Sequence, residues 1–91
     1  MNYSFEWDPE KARVNAAKHG IKFDEAISVF GDPLASWEVD ERVYAGEERY
    51  IALGRSSLQR LLVVVFTQRE ARIRIISARK PTRREAQAYE G

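Results

Sequence analysis

The chain has no cysteine, which removes a disulfide framework and every thiolate metal site. It has a single histidine, His19, which argues against a zinc cluster. With three prolines and five glycines there is no Pro- or Gly-rich linker, and no repeat or low-complexity segment is visible. The longest apolar run, residues 61–66, is far too short to cross a bilayer. The opening Met-Asn-Tyr-Ser-Phe-Glu-Trp lacks the basic, apolar, small-residue order of a signal peptide. A soluble, cytoplasmic protein without membrane contact is the expectation. There is no Gly-rich phosphate loop, no nucleophile elbow and no paired His-Glu metal motif.

What is present suits one domain over residues 1–91 with a modest core: 44% apolar residues, ten aromatics and 32% charged residues. The net charge of +1 hides an uneven distribution. Residues 1–48 carry eleven acids and five bases, whereas residues 49–91 carry ten bases, nine of them Arg, and three acids. The planar donor fork of Arg matches a phosphate. An Arg-rich half therefore fits an anionic partner such as nucleic acid, and it equally fits a solvated sheet face matched to the acidic half.

Residues 3–7 alternate aromatic and polar side chains and read as a short strand. Asp8 and Pro9 start a helix as N-cap and first helical residue, and Gly20 ends it. Asp24 is expected to cap a second helix whose Phe23, Ala26, Ile27 and Phe30 form a core-facing stripe, stopped by Gly31-Asp32-Pro33. Ala35, Trp37 and Val39 alternate with Ser36, Glu38 and Asp40, which predicts a half-buried strand. A polar hairpin connection over 40–48 follows, then strands over 49–55 and 61–67 around Ser56-Ser57. The second of these is apolar on both faces and belongs in the sheet centre. A turn at 68–71 leads to a last strand over 72–78. Thr82 and Glu85 form a capping box for a short C-terminal helix carrying Tyr89. This order predicts a two-layer α+β fold, with an N-terminal strand and two helices packed on an antiparallel β-meander and a short C-terminal helix.

Two groups of residues carry chemistry. Asp8, Lys11, Asn15 and Lys18 share one face of the first helix, with His19 at its end. That stripe is either the wet side of an amphipathic helix, with Lys18 and His19 answering the helix dipole, or the seat of a proton-transferring imidazole. In the last strand a strict alternation puts Arg72, Arg74 and Ile76 on one face, and Ile73, Ile75, Ser77 and Arg79 on the other. Arg49, Arg55 and Arg60 could extend a basic surface able to track a phosphate backbone, although edge strands also carry charge merely to prevent aggregation. Glu38, Asp40, Glu41, Glu47 and Glu48 are a conceivable magnesium site but read more simply as a solvated loop.

Specific segments narrow the reading. Trp7-Asp8, Lys11, Asn15, Lys18-His19-Gly20-Ile21, Phe23, Glu25-Ala26, Phe30 and Asp32-Pro33 resemble the N-terminal signature of the BrnT toxin family. Gly46-Glu47-Glu48-Arg49, Leu53-Gly54, the run from Ile73 to Arg79, Glu85 and Tyr89 resemble its second half. The resemblance implies a fold similar to RelE-type ribonucleases and a type II toxin that arrests growth by cleaving RNA. It implies a partner, a BrnA-like antitoxin with a ribbon-helix-helix domain, in a complex of two toxins and two antitoxins that alone contacts operator DNA.

On this footing cleavage is expected to need neither metal nor cofactor. His19 is the first choice for proton transfer, with Lys18, Arg49, Arg74 and Arg79 holding the phosphate and Glu47 a candidate base. Arg72, Arg55 and Tyr89 are candidates for binding RNA, Tyr89 by stacking on a base or else by capping the core with the last helix. The competing class is a non-catalytic nucleic-acid-binding or interaction domain.

Overall fold

In a computed structural model, which describes residues 3–42 and 46–90, the chain runs β1 (Ser4–Glu6), α1 (Pro9–His19), α2 (Phe23–Ala26), a 3-10 turn (Ile27–Gly31), β2 (Ser36–Asp40), β3 (Arg49–Arg55), β4 (Leu61–Arg69), β5 (Arg72–Arg79) and α3 (Arg83–Glu90). The five strands form one sheet in the order β1-β5-β4-β3-β2. β2 to β5 are an antiparallel meander with β4 at its centre, as the all-apolar run predicts. β1 joins the far edge parallel to β5, so the sheet is mixed rather than purely antiparallel.

Local signals set the helix ends. The Asp8 carboxylate accepts from the Glu10 N–H at 2.9 Å, and Pro9 fills the first turn where no backbone donor is needed. Gly20 takes the left-handed conformation (φ 71°) and donates its N–H to the Ala16 carbonyl. The capping box of α3 is reciprocal: Glu85 N–H donates to Thr82 Oγ1, and Thr82 N–H donates to Glu85 Oε1. α2 departs from expectation. Its N-cap is Lys22, with no side-chain cap, and after one turn it tightens into the 3-10 segment. The predicted stripe still faces inward, with Phe23 and Ala26 buried and Ile27 and Phe30 packed against the core.

The core lies between α1, α2 and one sheet face. Ile21, Phe23, Ala26 and Val29 meet Ala52, Leu62, Val64, Phe66, Ile73, Ile75 and Ala78. Each fully buried Phe or Ile contributes about 1.5–3 kcal/mol relative to exposure. β2 inverts the expected burial: Trp37 is 62% and Val39 46% exposed, while Asp40 is buried. The helical layer does not extend over this edge strand, and Arg42 folds back onto the Asp40 carboxylate through its backbone N–H, Nε and Nη2. The connection expected over 40–48 includes residues 43–45, which lie outside the described residues. Among the described residues no helix is long and apolar enough to cross a membrane.

Candidate functional site

Among the described residues the second sheet face is covered by α3 at one end, where Glu85 and Ala88 lie by Leu53 and Val63. The register sets what this face presents. Ser4, Arg72 and Arg69 are aligned; in the next row Glu6, Arg74 and Thr67 are aligned. Arg49 alternates with the inward-facing Tyr50 and so emerges beside Thr67, opposite Asp40.

Arg79 reaches the same face by a departure from strict alternation. Phe66 pairs with Ile75, but Val65 pairs with Ser77, so Ile76 is an extra residue in β5. A bulge of this kind reverses the alternation beyond it. Ile73 and Ile75 point into the core before it and Ala78 after it; Arg72 and Arg74, then Ser77 and Arg79, point to the open face. The alternation predicted from sequence, with Arg79 on the face of Ile73 and Ile75, is thereby corrected.

Each of these arginines meets a carboxylate. Glu6 bridges two of them, accepting from Arg74 Nη1 at 2.9 Å and Arg72 Nη1 at 3.2 Å. Glu47 accepts from Arg69 Nη2 at 2.8 Å and lies 3.6 Å from Arg49 Nε. Glu85 takes Arg79 in a bidentate pair at 2.9 and 3.0 Å. The guanidinium bonds hold all three carboxyls below the usual range: Arg74 first for Glu6, Arg69 first for Glu47, and Arg79 for Glu85, which falls to about 2. Glu6 had no local signal in the sequence, because its role exists only through the parallel pairing of β1 with β5. Glu85 was legible as a capping residue but not as the partner of Arg79.

His19 and Lys18 lie at the margin of this face. With Glu10, Lys11, Val14 and Asn15 they line a groove between α1 and the edge of β5, whose floor is Ile76 and Ser77. Ser77 projects to the open face between Arg74 and Arg79, so the groove and these two arginines share strand β5. Neither Lys18 nor His19 forms an ion pair among the described residues. Asn15, expected on the wet stripe of α1, is instead buried.

The other candidates lie elsewhere. Arg55 is at the opposite end of β3, with its guanidinium 5.4 Å from the Tyr89 ring centroid. The Tyr89 hydroxyl donates to Asp32 Oδ2 at 2.6 Å, and the same oxygen accepts the Arg55 N–H at 2.8 Å. This constellation ties α3 to β3 and the Asp32-Pro33 turn. Arg60 does not extend the basic face; it pairs with the buried Glu25 beside Ser56. Among the described residues no three His, Asp or Glu side chains are placed to hold a metal ion, so the acids around β2 and its loop do not gather into a magnesium site.

Comparison with known proteins agrees with this architecture. A solved structure, described as the 1.1 Å crystal structure of the Brucella abortus ribonuclease toxin BrnT, superposes with a TM-score of 0.64 at 24% identity. The match covers 90% of this chain and 100% of that one, and it speaks for the α+β fold. No curated protein sequence matches the chain. Residues 7–85 match the family described as "Ribonuclease toxin, BrnT, of type II toxin-antitoxin system". The matched span runs from Trp7, just after the first strand, to Glu85, the partner of Arg79, and the chain belongs to the BrnT family of ribonuclease toxins of type II toxin–antitoxin systems.

Proposed function

We propose that this chain, acting as one toxin unit over residues 1–91 in the cytoplasm, cleaves RNA without a metal ion on its open sheet face. The observation that carries this reading is the bulge at Ile76, which brings Arg79 onto the face of Arg74, Arg72 and Arg49. Arg49, Arg74 and Arg79 there can grip phosphate oxygens, and the carboxylates now paired with them are the anions a phosphate would replace.

The chemistry is internal transesterification. The 2′-oxygen of one nucleotide bonds to the adjacent phosphorus as the bond from phosphorus to the 5′-oxygen breaks. A base takes the 2′-hydroxyl proton and an acid supplies one to the leaving oxygen. His19, in the groove beside Ser77, serves proton transfer, with Lys18 next to it. Glu47, held ionised by Arg69 and Arg49, is the second candidate base. Arg49, Arg74 and Arg79 stabilise charge developing on the phosphate. Arg72 extends the cationic track, while Arg55 and Tyr89 form a separate patch at the end of β3. The consequence is inhibited translation and growth, relieved by a BrnA-like ribbon-helix-helix antitoxin in a 2:2 complex through which alone operator DNA is bound.

The test is expression of the chain alone, followed by incubation of the purified protein with labelled RNA in EDTA. Growth arrest and EDTA-resistant cleavage are expected, with Arg74→Ala and Arg79→Ala each about a hundredfold slower and still folded. Full activity in both variants removes the assigned site, and loss of cleavage in EDTA removes metal independence. One observation favours the competing reading of a non-catalytic binding domain: every arginine of the face is already paired with an acid. RNA binding without cleavage is the outcome that selects it.

A further inference from the structure

β2 closes one end of the sheet, and among the described residues its outer edge has no strand partner. Its core-side face is also largely bare. Trp37 and Val39 are about half exposed or more, Leu34 just before the strand is 72% exposed, and among the described residues the aromatic rings that Trp37 meets are those of Tyr50 and Phe66. Natural proteins blunt such edges with Lys, Pro or a bulge. The strand Ser-Trp-Glu-Val-Asp has no Lys and no Pro, and its pairing with β3 is regular; the protection it carries is the negative charge of Glu38 and Asp40, which leaves it open to a strand of opposite charge.

Charge selects what this edge can accept. Glu38 is exposed on the opposite side of the same strand, and residues 32–48 carry six acids and one arginine. A second copy of the chain would set two acidic strands against each other, which opposes pairing. RNA phosphates would meet the same carboxylates. A protein strand that alternates apolar residues with Lys or Arg satisfies both sides at once: its apolar residues cover Trp37 and Val39, its cations face Glu38, and its backbone completes the edge.

We propose that the free edge of β2 is the docking site of this toxin's protein partner, which adds a strand of alternating apolar and basic residues. The inference rests on the antitoxin part of the proposed function and is independent of the arginine face. It also suits inhibition from the side. Asp40 is aligned with Arg49, so a strand added to β2 stands next to the open face where RNA is held.

The test uses the full chain and the purified product of the gene adjoining its own. Trp37→Ser with Val39→Ser is expected to weaken binding about thirtyfold or more, and Glu38→Lys about tenfold. Both variants should keep the circular dichroism and RNA cleavage of the parent, so that growth arrest is no longer relieved by co-expression of the partner. In the complex, amides of residues 36–40 should gain protection from hydrogen exchange. Parent-like binding by the double-serine variant overturns the site. Weakened binding without amide protection overturns strand addition. A dimer of the free chain that dissociates in the double-serine variant overturns the choice of occupant. If the parent chain does not bind that protein at all, the antitoxin reading itself fails, while RNA cleavage is unaffected.

Discussion

The side-chain amide of Asn15 hydrogen-bonds both backbone groups of Ala78, accepting its N–H at 3.1 Å and donating to its carbonyl at 2.9 Å. The second amide hydrogen goes to the Ile21 carbonyl at 3.0 Å. β1 accompanies β5 only as far as Arg74, and beyond that point Asn15 stands in for the missing strand. Lys18 and His19 follow Asn15 by three and four residues on the same side of α1, so this contact also sets the groove they line.

Asn15→Ala should therefore destabilise the protein by about 2–4 kcal/mol, because three buried backbone groups lose their partner together. Asn15→Asp should do no better: it keeps an acceptor for the Ala78 N–H but turns negative charge toward two carbonyls. Urea unfolding of the two variants against the parent measures this. A loss below 0.5 kcal/mol for both would show that water replaces the amide at no cost.

Gly54 lets β3 pass close to Val29 and Ala35. A Cβ there would lie 2.8 Å from both Ala35 Cβ and Val29 Cγ1, in a buried position with no flexible side chain to yield. Gly54→Ala is expected to cost about 1–3 kcal/mol through overpacking. The thermal midpoint reports it directly, and an unchanged midpoint would mean that the turn before β2 moves aside freely.

Glu85 makes the docking of α3 sensitive to acid. Its carboxyl is drawn from 4.5 to about 2, by Arg79 first and then by the Thr82 N–H. Between those values the unfolded chain binds a proton that the folded chain does not, so stability rises with pH across that window. The contribution is fully present above about pH 5 and is lost as pH falls toward 2. The stability gap between the parent and Glu85→Gln should shrink over that range. A gap that is constant from pH 7 to pH 2.5 would contradict the assignment.

Tyr89→Phe separates the two roles of that ring. It removes the hydroxyl that donates to Asp32 Oδ2, while Asp32 keeps the N–H groups of Arg55 and Leu34. Stability should fall by about 1 kcal/mol. RNA cleavage should not change, since the ring and its contact with Arg55 persist; a clear drop in cleavage would instead place the hydroxyl in substrate binding.

Local chemistry was legible in the residues themselves. Asp8-Pro9, Gly20 and the Thr82–Glu85 box act within a few residues of where they stand, and each helix end depending on them falls where the sequence puts it. The apolar run of β4 needed only its own composition to claim the sheet centre. The Lys-His-Gly-Ile and Ile-Ile-Ser-Ala-Arg segments were enough to suggest the family.

The tertiary structure decided the rest. The extra residue at Ile76 cannot be seen in an alternating strand, because a bulge is chosen by the partner strand's register, and it alone turns Arg79 to the open face. β1 runs parallel beside β5 and so delivers Glu6 to Arg72 and Arg74, residues more than sixty positions away. Asn15 reads as a solvent-facing side chain on a helical wheel until Ala78 arrives, and Asp40 reads likewise until Arg42 folds onto it. In each case a side chain's role is set by hydrogen bonds to groups distant along the chain or by where the helical layer stops, and no short window of sequence contains either.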